Sequence, residues 1–540
     1  MANEIGEGMG AGCFGVECKV NDAAKRLDAY YNFNGSTRHW LKRYTMYKAA
    51  ERDGALCLDG SVPHYYLKKG RQKHKWWIIL KGGGYCSNHS MCVNFLSTPF
   101  GTSRFNAPRI RNVGKNLSYK ISYVQNPLFT NWTHAMLQSC DAGAFSGSRP
   151  EPMVNSLGNV THFRGYHILR GFVEELLERK GLDSATEVVF SGVSSGGHAL
   201  FLHCDQLAAH VGTRSRARVI CIPNAGFFPG PDVQLDFDQT PFRVAQYIRM
   251  VHIQHTRLPA ACTRVEDLPE RCLWPDVAAK YIKTEMFLLQ SKHDSFIIRK
   301  LLGLRNNSEE AIEKVKRWTQ HYLRALGRSV LFATPHHHRN GVAINGCDHH
   351  GGSGNYLVGD MTEHNALEHW YLRGPRCRRI WVDPREYPCP DCCRKRMTVE
   401  DPGRDNFDCG DADWPGAGGP RLPPTIRQNW SDALEYAETL DAAQIVEDMS
   451  NDAEYDWMLH EASAPAPGGP RVLRIQRRGR HREACTLAMA AVLCVSVALM
   501  CTRTCRKLMG LQVSVRFHRS LAKGGSKADA AYLSSLLLGL

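Results

Sequence analysis

The run Glu187-Val-Val-Phe-Ser-Gly-Val-Ser-Ser-Gly-Gly197 is the stretch from which a fold can be predicted. Its apolar first half, Val188 to Ser191, predicts a short buried strand. The rest fits the pattern G-x-S-x-G, in which a tight turn between a strand and a helix presents a serine, here Ser194. Small residues suit this turn because the helix must pack close behind the strand. A glycine- and serine-rich loop would fit the same letters, so the motif needs support from elsewhere.

A second glycine-rich turn lies about 110 residues upstream of Ser194. Lys75-Trp-Trp-Ile-Ile-Leu-Lys81 predicts a strand, and three glycines follow it at 82–84. A serine hydroxyl is a weak nucleophile that needs a base, an orienting acid and donors for the oxyanion. Serine hydrolases place such backbone N–H donors in a glycine-rich loop after a strand. We therefore expect this loop to supply oxyanion donors, with a plain strand-end turn as the alternative.

The acid and the base are expected downstream, in the order Ser, Asp, His. Thr284-Glu-Met-Phe-Leu-Leu-Gln290 predicts another buried strand, and Asp294 lies just beyond it, at the same sheet edge as the nucleophile. Further on, the glycine-flanked run 345–352 contains His349 and His350. Without other support, Asp294 could be an ordinary loop aspartate, and either histidine could be incidental among 24.

These segments resemble the pectin acetylesterase family, which also includes the Notum-type protein carboxylesterases. The resemblance covers about residues 40–398 in the order of the chain, and it implies an α/β-hydrolase-like fold. Its segments, with the family patterns, are 54–61 (CLDGS), 82–86 (GGGWC), 131–147 (NW…YCDGASFxG), 162–165 (HFRG), 191–205 (GCSAGGxxxxxHCD), 224–228 (DAGFF), 258–275 (LPASCT…CFFP), 286–297 (FLLNxxYDSWQI), 345–350 (NSCFAH) and the cysteine-rich 388–392.

The resemblance implies a role for each candidate residue. Ser194 would be the nucleophile and Asp294 the orienting acid. His350, which aligns with the family histidine better than its neighbour does, would be the general base. The oxyanion hole would consist of the N–H groups of Gly83, Gly84 and Ser195.

The chain departs from the family pattern at two positions and matches one branch of the family at a third. Val193 and Gly351 stand where the plant enzymes have cysteines, which suggests that a local disulfide has been lost. Gly84 matches the acetylesterase branch, whereas the Notum branch has tryptophan there, and this favours a small acyl group. We expect a serine carboxylesterase without cofactor or metal that removes O-acetyl groups from a pectin-like extracellular or cell-wall polysaccharide. The alternatives are a Notum-like deacylase of a lipidated protein and a membrane-anchored glycan-binding pseudoenzyme.

Cysteines and glycosylation sequons indicate the compartment. The chain has 540 residues, 43% of them apolar, and 20 cysteines, which together suggest one large α/β core in an oxidising secretory environment. We expect disulfides Cys86–Cys92 and Cys262–Cys272. At 389–393 we expect a disulfide segment, with a zinc site as the alternative. At the histidines 336–338 we expect a solvated loop, with a metal site as the alternative. The sequons lie at Asn34, Asn88, Asn116, Asn131, Asn159, Asn306 and Asn429.

Charge patterning divides the rest of the chain. The net charge of +15 would suit an anionic polysaccharide, and no nucleic-acid recognition motif is visible. Residues 1–39 form an N-terminal segment and 399–470 an acidic linker with glycine and proline. The uncharged stretch 484–502 is about 28 Å long as a helix, which predicts a single-pass membrane span, with a buried helix as the alternative and a basic tail at 503–540.

The beginning of the chain does not fit this scheme easily. It has no charged-then-apolar signal peptide, so the gene start is wrong, the C-terminal segment performs the targeting, or the enzyme is cytosolic. The overall prediction is an α/β-hydrolase-like, doubly wound, mostly parallel sheet with a C-terminal membrane helix. It includes a helix within 162–180, a helix starting near Ser195 and a strand over 218–222.

Overall fold

The computed structural model describes residues 40–111, 129–155, 157–230, 233, 240–304, 307–351, 356–359, 361–373 and 379–393. The predicted N-terminal segment, acidic linker, membrane span at 484–502 and basic tail lie outside these residues. Within the described residues, no helix is both long enough and apolar enough to cross a bilayer.

The described part of the chain has 14 strands, of which ten form one large sheet and four form two antiparallel pairs. The strands are β1 (Trp40–Thr45), β2 (His64–Lys68), β3 (Gln72–Leu80), β4 (Arg109–Arg111), β5 (Trp132–Leu137), β6 (Met153–Val154), β7 (Val160–Thr161), β8 (Glu187–Val193), β9 (Arg218–Asn224), β10 (Glu285–Ser291), β11 (Gly341–Asn345), β12 (Leu357–Val358), β13 (Met361–Thr362) and β14 (Ile380–Val382).

The order in this sheet is β14-β11-β10-β9-β8-β3-β5-β2-β1-β4. Neighbouring strands from β14 to β5 are parallel. The strands β2, β1 and β4 continue the sheet in antiparallel pairing. The predicted mostly parallel α/β sheet is therefore confirmed.

Helices connect these strands. They are α1 (Tyr47–Asp53), α2 (His89–Phe95), α3 (Gly165–Arg179), α4 (Ser195–Gly212), α5 (Thr240–Gln254), α6 (Ala260–Thr263), α7 (Pro275–Ala278), α8 (Glu309–Leu326) and α9 (Glu363–Arg373). Single 3-10 or π turns lie at Leu182–Ser184, Pro269–Leu273, Ala279–Tyr281, Ile297–Leu301, Gly327–Leu331, Pro335–Arg339 and Pro390–Cys393.

Alternating side chains of the central strands bury two cores, one on each face of the sheet. In β8, Val188 and Phe190 pack into one core and Val189 into the other, as the two-residue period of a strand requires. The first core receives α3, whose buried apolar side chains recur at helical spacing: Ile168, Leu169, Phe172, Val173, Leu176 and Leu177. The second core receives α9 through Leu367 and Trp370.

The parallel arrangement determines where the loops meet. β3, β8, β10 and β11 run in the same direction, so the loops after them lie at one edge of the sheet. The glycine triplet follows β3, Ser194 follows β8, Asp294 follows β10 and His350 follows β11. The four segments that carry the candidate catalytic residues therefore converge on this edge.

Candidate active site

The turn at Ser194 has a strained backbone supported by close packing. Ser194 has φ 57° and ψ −126°, a left-handed conformation that is unusual for a residue with a side chain. Added Cβ atoms at Gly192 and Gly196 would lie only 2.1 Å from Gly196 O and 2.2 Å from Leu80 O, respectively. Glycine at these two positions therefore allows β8, β3 and α4 to approach closely enough to form the turn.

A chain of hydrogen bonds joins three of the predicted site residues. His350 Nε2 lies 2.9 Å from Ser194 Oγ. His350 Nδ1 lies 2.9 and 3.0 Å from the two carboxylate oxygens of Asp294. Because an ionised carboxylate only accepts, Nδ1–H donates to Asp294, and Nε2 accepts from the Ser194 hydroxyl.

Two further groups, which sequence reasoning did not identify, orient Asp294. The Gln290 side-chain amide donates to Asp294 Oδ2 over 3.1 Å, and the Phe296 N–H donates to Oδ1 over 2.9 Å. Asp294 and Gln290 are both 0% exposed. The carboxylate is thus held in one orientation by three partners in a site from which water is excluded. In the family pattern FLLNxxYDSWQI, asparagine stands where this chain has Gln290. An amide side chain four residues before the aspartate was therefore the sequence signal for this partner of Asp294.

The two adjacent histidines have different surroundings. His349 Nδ1 lies 3.2 Å from Gly351 O, whereas His350 bridges Ser194 and Asp294. The ring of His350 is also flanked by Phe296 and Phe228, with centroid distances of 5.1 and 6.1 Å. The structure thus places His350, and not its neighbour, in the hydrogen-bonded chain.

The glycine loop lies beside the nucleophile, but its donors already have a partner. The N–H groups of Gly83 and Gly84 donate to Ser195 Oγ over 2.8 and 3.1 Å. Ser195 is 1% exposed. The sequence predicted three backbone donors directed at a substrate oxygen. The structure brings the three residues together, but a side-chain hydroxyl of one of them accepts from the other two.

The loop at 141–145, which we call the support loop, underlies the glycine turn. Cys86 N–H donates to Ala142 O over 2.9 Å, and Tyr85 forms a bridge with Gly143. Asp141, 1% exposed, accepts from Phe145 N–H over 2.7 Å. Burial raises the pKa of the Asp141 carboxyl to about 6, against the lowering effect of the N–H groups that it accepts from.

A run of aromatic residues from distant parts of the chain extends away from His350. Phe228 contacts Phe296 and Tyr85, with ring centroids 5.5 and 6.1 Å apart. The run continues through Tyr247, 6.1 Å from Tyr85, to Trp274, 4.5 Å from Tyr247. None of these residues was identified as a site residue from the sequence, although Tyr85 aligns with the tryptophan of GGGWC.

His198 fixes Tyr85 at the start of this aromatic run. Its Nε2–H donates to Leu273 O over 2.6 Å, so Nδ1 must accept from the Tyr85 hydroxyl, 2.5 Å away. Burial lowers the pKa of His198 to about 4, and the ring is therefore neutral at neutral pH. His198 is one turn after Ser194 in α4, but it is a structural partner of Tyr85 and makes no contact with Asp294.

Disulfides surround the site. The structure joins both predicted pairs, Cys86–Cys92 and Cys262–Cys272. Four more bonds are Cys57–Cys140, Cys204–Cys221, Cys347–Cys393 and Cys389–Cys392.

The candidate metal ligands have other partners. The cysteines of 389–393 are all in disulfides, which leaves no thiolate there to bind zinc. In the histidine run 336–338, His337 is buried and its Nε2 hydrogen-bonds Ile282 O. Over the described residues, no group of three or more His, Cys, Asp or Glu side chains is arranged to hold a metal ion.

Comparisons with known proteins agree with the resemblance drawn from the motifs. The sequence model of the family described as Pectinacetylesterase matches residues 37–394. Pectin acetylesterase 11 of Arabidopsis thaliana is 30% identical over 51% of this chain and 66% of its own length. This chain therefore spans just under two thirds of that relative. Pectin acetylesterase 4 of the same plant is 30% identical over 64% of this chain and 86% of its own length.

Two comparisons are with members of the Notum branch. Palmitoleoyl-protein carboxylesterase NOTUM of Mus musculus is 32% identical over 28% of this chain and 29% of its own length. Among solved structures, the Wnt deacylase Notum from Drosophila superposes with a TM-score of 0.56 at 21% identity, covering 66% of this chain and 99% of that one. This structural likeness agrees with the α/β-hydrolase-type fold.

Proposed function

This chain belongs to the pectinacetylesterase family, and we propose that it is a serine carboxylesterase that removes O-acetyl groups from an extracellular or cell-wall polysaccharide. The observation that carries the proposal is the hydrogen-bonded chain from Ser194 through His350 to Asp294 at the carboxyl edge of the sheet. A nucleophile, a base and an orienting acid in this geometry are what acyl transfer from an ester requires.

In the first half of the reaction, Ser194 Oγ attacks the carbonyl carbon of the ester while its proton passes to His350 Nε2. Asp294 stabilises the imidazolium that forms and keeps Nδ1 protonated. The carbonyl oxygen becomes an oxyanion, for which Gly83, Gly84 and Ser195 carry the backbone donors. The tetrahedral intermediate then collapses: the bond to the leaving alcohol breaks, and His350 returns the proton to that oxygen.

Water completes the reaction. It loses a proton to His350 Nε2 and attacks the acyl-enzyme carbonyl. The ester bond to Ser194 breaks, His350 protonates Ser194 Oγ, and acetate leaves. The steps use only the three side chains and the backbone donors.

Three features support a secreted acetylesterase in particular. Gly84, whose N–H lies 3.1 Å from Ser195 Oγ, has no side chain where the Notum branch has tryptophan, and this favours a small acyl group. The net charge of +15 favours an acidic polysaccharide over a neutral one. Six disulfides in the described residues suit an oxidising compartment outside the cytosol.

A second candidate function is the removal of a long acyl chain from a lipidated protein. The rings of Phe296 and Phe228 beside His350 favour it, because aromatic side chains next to the reacting groups could pack against a hydrocarbon chain. The two functions differ in the acyl length that the site accepts, and this difference can be measured.

The test is hydrolysis of p-nitrophenyl esters from acetate to palmitate by the full chain, together with release of acetate from acetylated polygalacturonate. Ser194→Ala removes the nucleophile. Ser329→Ala is the matched control, since this buried hydroxyl only contacts helix carbonyls, at 2.8 and 3.3 Å.

We expect activity on acetate that falls with chain length, is lost in Ser194→Ala and is retained in Ser329→Ala. A preference for long chains would replace the acetylesterase proposal with the deacylase. If the folded protein cleaved no ester in a Ser194-dependent way, the esterase proposal would be wrong and a glycan-binding pseudoenzyme would be favoured.

A further inference from the structure

We propose that the Ser195 hydroxyl occupies the oxyanion site in the resting protein and must leave it before an ester can react. This inference rests on the proposed function, because it concerns the same nucleophile. It identifies Ser195 as a positioning residue that lowers the rate at this site through its side chain, while its backbone N–H serves the reaction.

The first support is the position of the hydroxyl oxygen. Two N–H groups, from Gly83 and Gly84, point at Ser195 Oγ from 2.8 and 3.1 Å. Oxyanion donors act at 2.7–3.1 Å from the oxygen that becomes charged, so the hydroxyl oxygen lies where two such donors converge. The glycine loop that carries these donors adjoins the nucleophile, since a Cβ added at Gly82 would lie 2.9 Å from Ser194 Cβ.

The second support is how firmly the hydroxyl is held. Ser195 is 1% exposed and is the first residue of α4, so its backbone does not move independently of the helix. Gly83 has no room to withdraw, since an added Cβ there would lie 2.3 Å from Ser139 Oγ. The hydroxyl therefore leaves the donors by rotation about its own Cα–Cβ bond, between staggered rotamers.

The third support comes from the family pattern GCSAGG, in which alanine stands where this chain has Ser195. Alanine retains the backbone N–H and has no side-chain acceptor. In such a site only water competes with the substrate oxygen for the two glycine donors. A tethered hydroxyl competes better than free water because its position is already fixed.

The rate consequence follows from the strength of two neutral hydrogen bonds. Exchanging such bonds costs a modest net amount, which corresponds to about a two- to tenfold change in rate. The cost falls on formation of the tetrahedral intermediate, so it lowers kcat more than it changes KM. It is also the same for every acyl chain, because it arises at the carbonyl oxygen.

The experiment compares the full-length protein with Ser195→Ala and Ser195→Gly, which both remove the hydroxyl, and with Ser329→Ala and Ser194→Ala. Hydrolysis of p-nitrophenyl acetate and butyrate gives kcat and KM. Inhibition by an alkyl trifluoromethyl ketone reports on the occupied oxyanion site, because Ser194 adds to the ketone and forms a tetrahedral oxyanion. Thermal unfolding verifies that each variant is folded.

We expect Ser195→Ala to raise kcat about two- to tenfold on both esters, with KM nearly unchanged, and to tighten ketone binding by a similar factor. Ser195→Gly should shift both quantities in the same direction, and Ser329→Ala should shift neither. A fall in kcat in both Ser195 variants would show that the hydroxyl holds the glycine loop in its working position, and it would overturn the inference. An unchanged kcat would overturn it too.

The same panel separates this inference from the proposed function. If the wild type shows Ser194-dependent esterase activity and the Ser195 variants are no faster, only the inference is wrong. If no protein in the panel hydrolyses either ester, the proposed function is wrong and the inference falls with it. If only the Ser195 variants are active, occupation of the oxyanion site is supported most strongly.

Discussion

The nucleophile turn and the support loop both hold residues with side chains in left-handed conformations, but by opposite means. At Ser194, close packing of backbone atoms stabilises the strained conformation, and this packing is possible because Gly192 and Gly196 lack side chains. In the support loop, Ala142, Ala144 and Phe145 have φ of 43°, 53° and 55°. There the Asp141 carboxylate accepts from the Phe145 N–H, and the Gln254 amide donates to Ala142 O.

The difference shows where each kind of strain is vulnerable. The nucleophile turn depends on two positions without side chains, so adding a side chain there destabilises it. Its packing contains no titrating group and therefore does not depend on pH. A loop stabilised by one buried carboxylate is damaged by removing that group or by changing its charge. Each left-handed residue with a side chain costs on the order of 1–3 kcal/mol, so either support has to offset a substantial amount.

The largest expected effect comes from adding a methyl group to the nucleophile turn. Gly192→Ala would place its Cβ 2.1 Å from Gly196 O, a contact with backbone that cannot rotate away. We expect the free energy of unfolding, measured by urea denaturation, to fall by about 3 kcal/mol, with loss of esterase activity.

Gly212→Ala is the matched control, since nothing lies within 4 Å of a Cβ at this position in α4. It should leave stability unchanged or raise it by up to about 1 kcal/mol. Equal losses in the two variants would contradict the packing explanation for the turn.

A smaller effect is expected from removing the carboxylate of the support loop. Asp141→Ala leaves the buried Phe145 N–H without its acceptor, which should lower the free energy of unfolding by about 2 kcal/mol. Because the loop pairs with Tyr85 and Cys86, kcat should fall as well. Asp183→Ala, at an exposed carboxylate, is the control. Its free energy of unfolding and its kcat should remain near those of the wild type. If Asp141→Ala were destabilised but had a normal kcat, the support loop would not affect catalysis through the glycine turn.

The smallest effect is a dependence of the free energy of unfolding on pH. We expect it from the support loop and not from the nucleophile turn. The pKa of Asp141 is raised to about 6 in the folded protein, above its value of 3.8 without the fold. The stability that this group contributes is therefore fully present below about pH 4 and is lost as the pH rises through 6.

Asp141→Asn removes this titration and retains an oxygen acceptor. Relative to the wild type, its free energy of unfolding should rise by roughly 1–2 kcal/mol between pH 5 and pH 7. Urea titrations at several pH values would measure this difference. Parallel curves for the two proteins would mean that Asp141 does not titrate in this range.

The same contrast explains what could be predicted from the sequence. The nucleophile turn depends on local features: an apolar run, two glycines and the start of a helix. The strand predicted at 188–191 is thus recovered within β8, and the helix predicted near Ser195 begins there. Asp294 could be placed because parallel strands bring their carboxyl ends to one edge, whatever the lengths of the connections. His350 was distinguished from His349 by the family resemblance, since the loop itself offered both.

Features that depend on contacts between distant segments could not be predicted. The contact of Ser195 Oγ with the glycine loop joins positions more than 100 residues apart, and no local pattern distinguishes it from an ordinary serine in a turn. Phe228 and Phe296 look like core residues until His350 is placed beside them. The support loop has no more glycine than an ordinary turn, because Asp141 stabilises its left-handed residues through a hydrogen bond. Its sequence therefore gave no sign of the strained backbone.

The Cys347–Cys393 bond has a consequence for the order in which the protein is made. Cys347 lies three residues before His350, but its partner is 46 residues further along the chain. A ribosome will therefore have delivered Ser194, Asp294 and His350 well before the residue that tethers the histidine loop. By contrast, Cys86 and Cys92 beside the glycine turn emerge almost together. The oxyanion side of the site can be crosslinked early in synthesis, and the histidine side only after Cys393 has emerged.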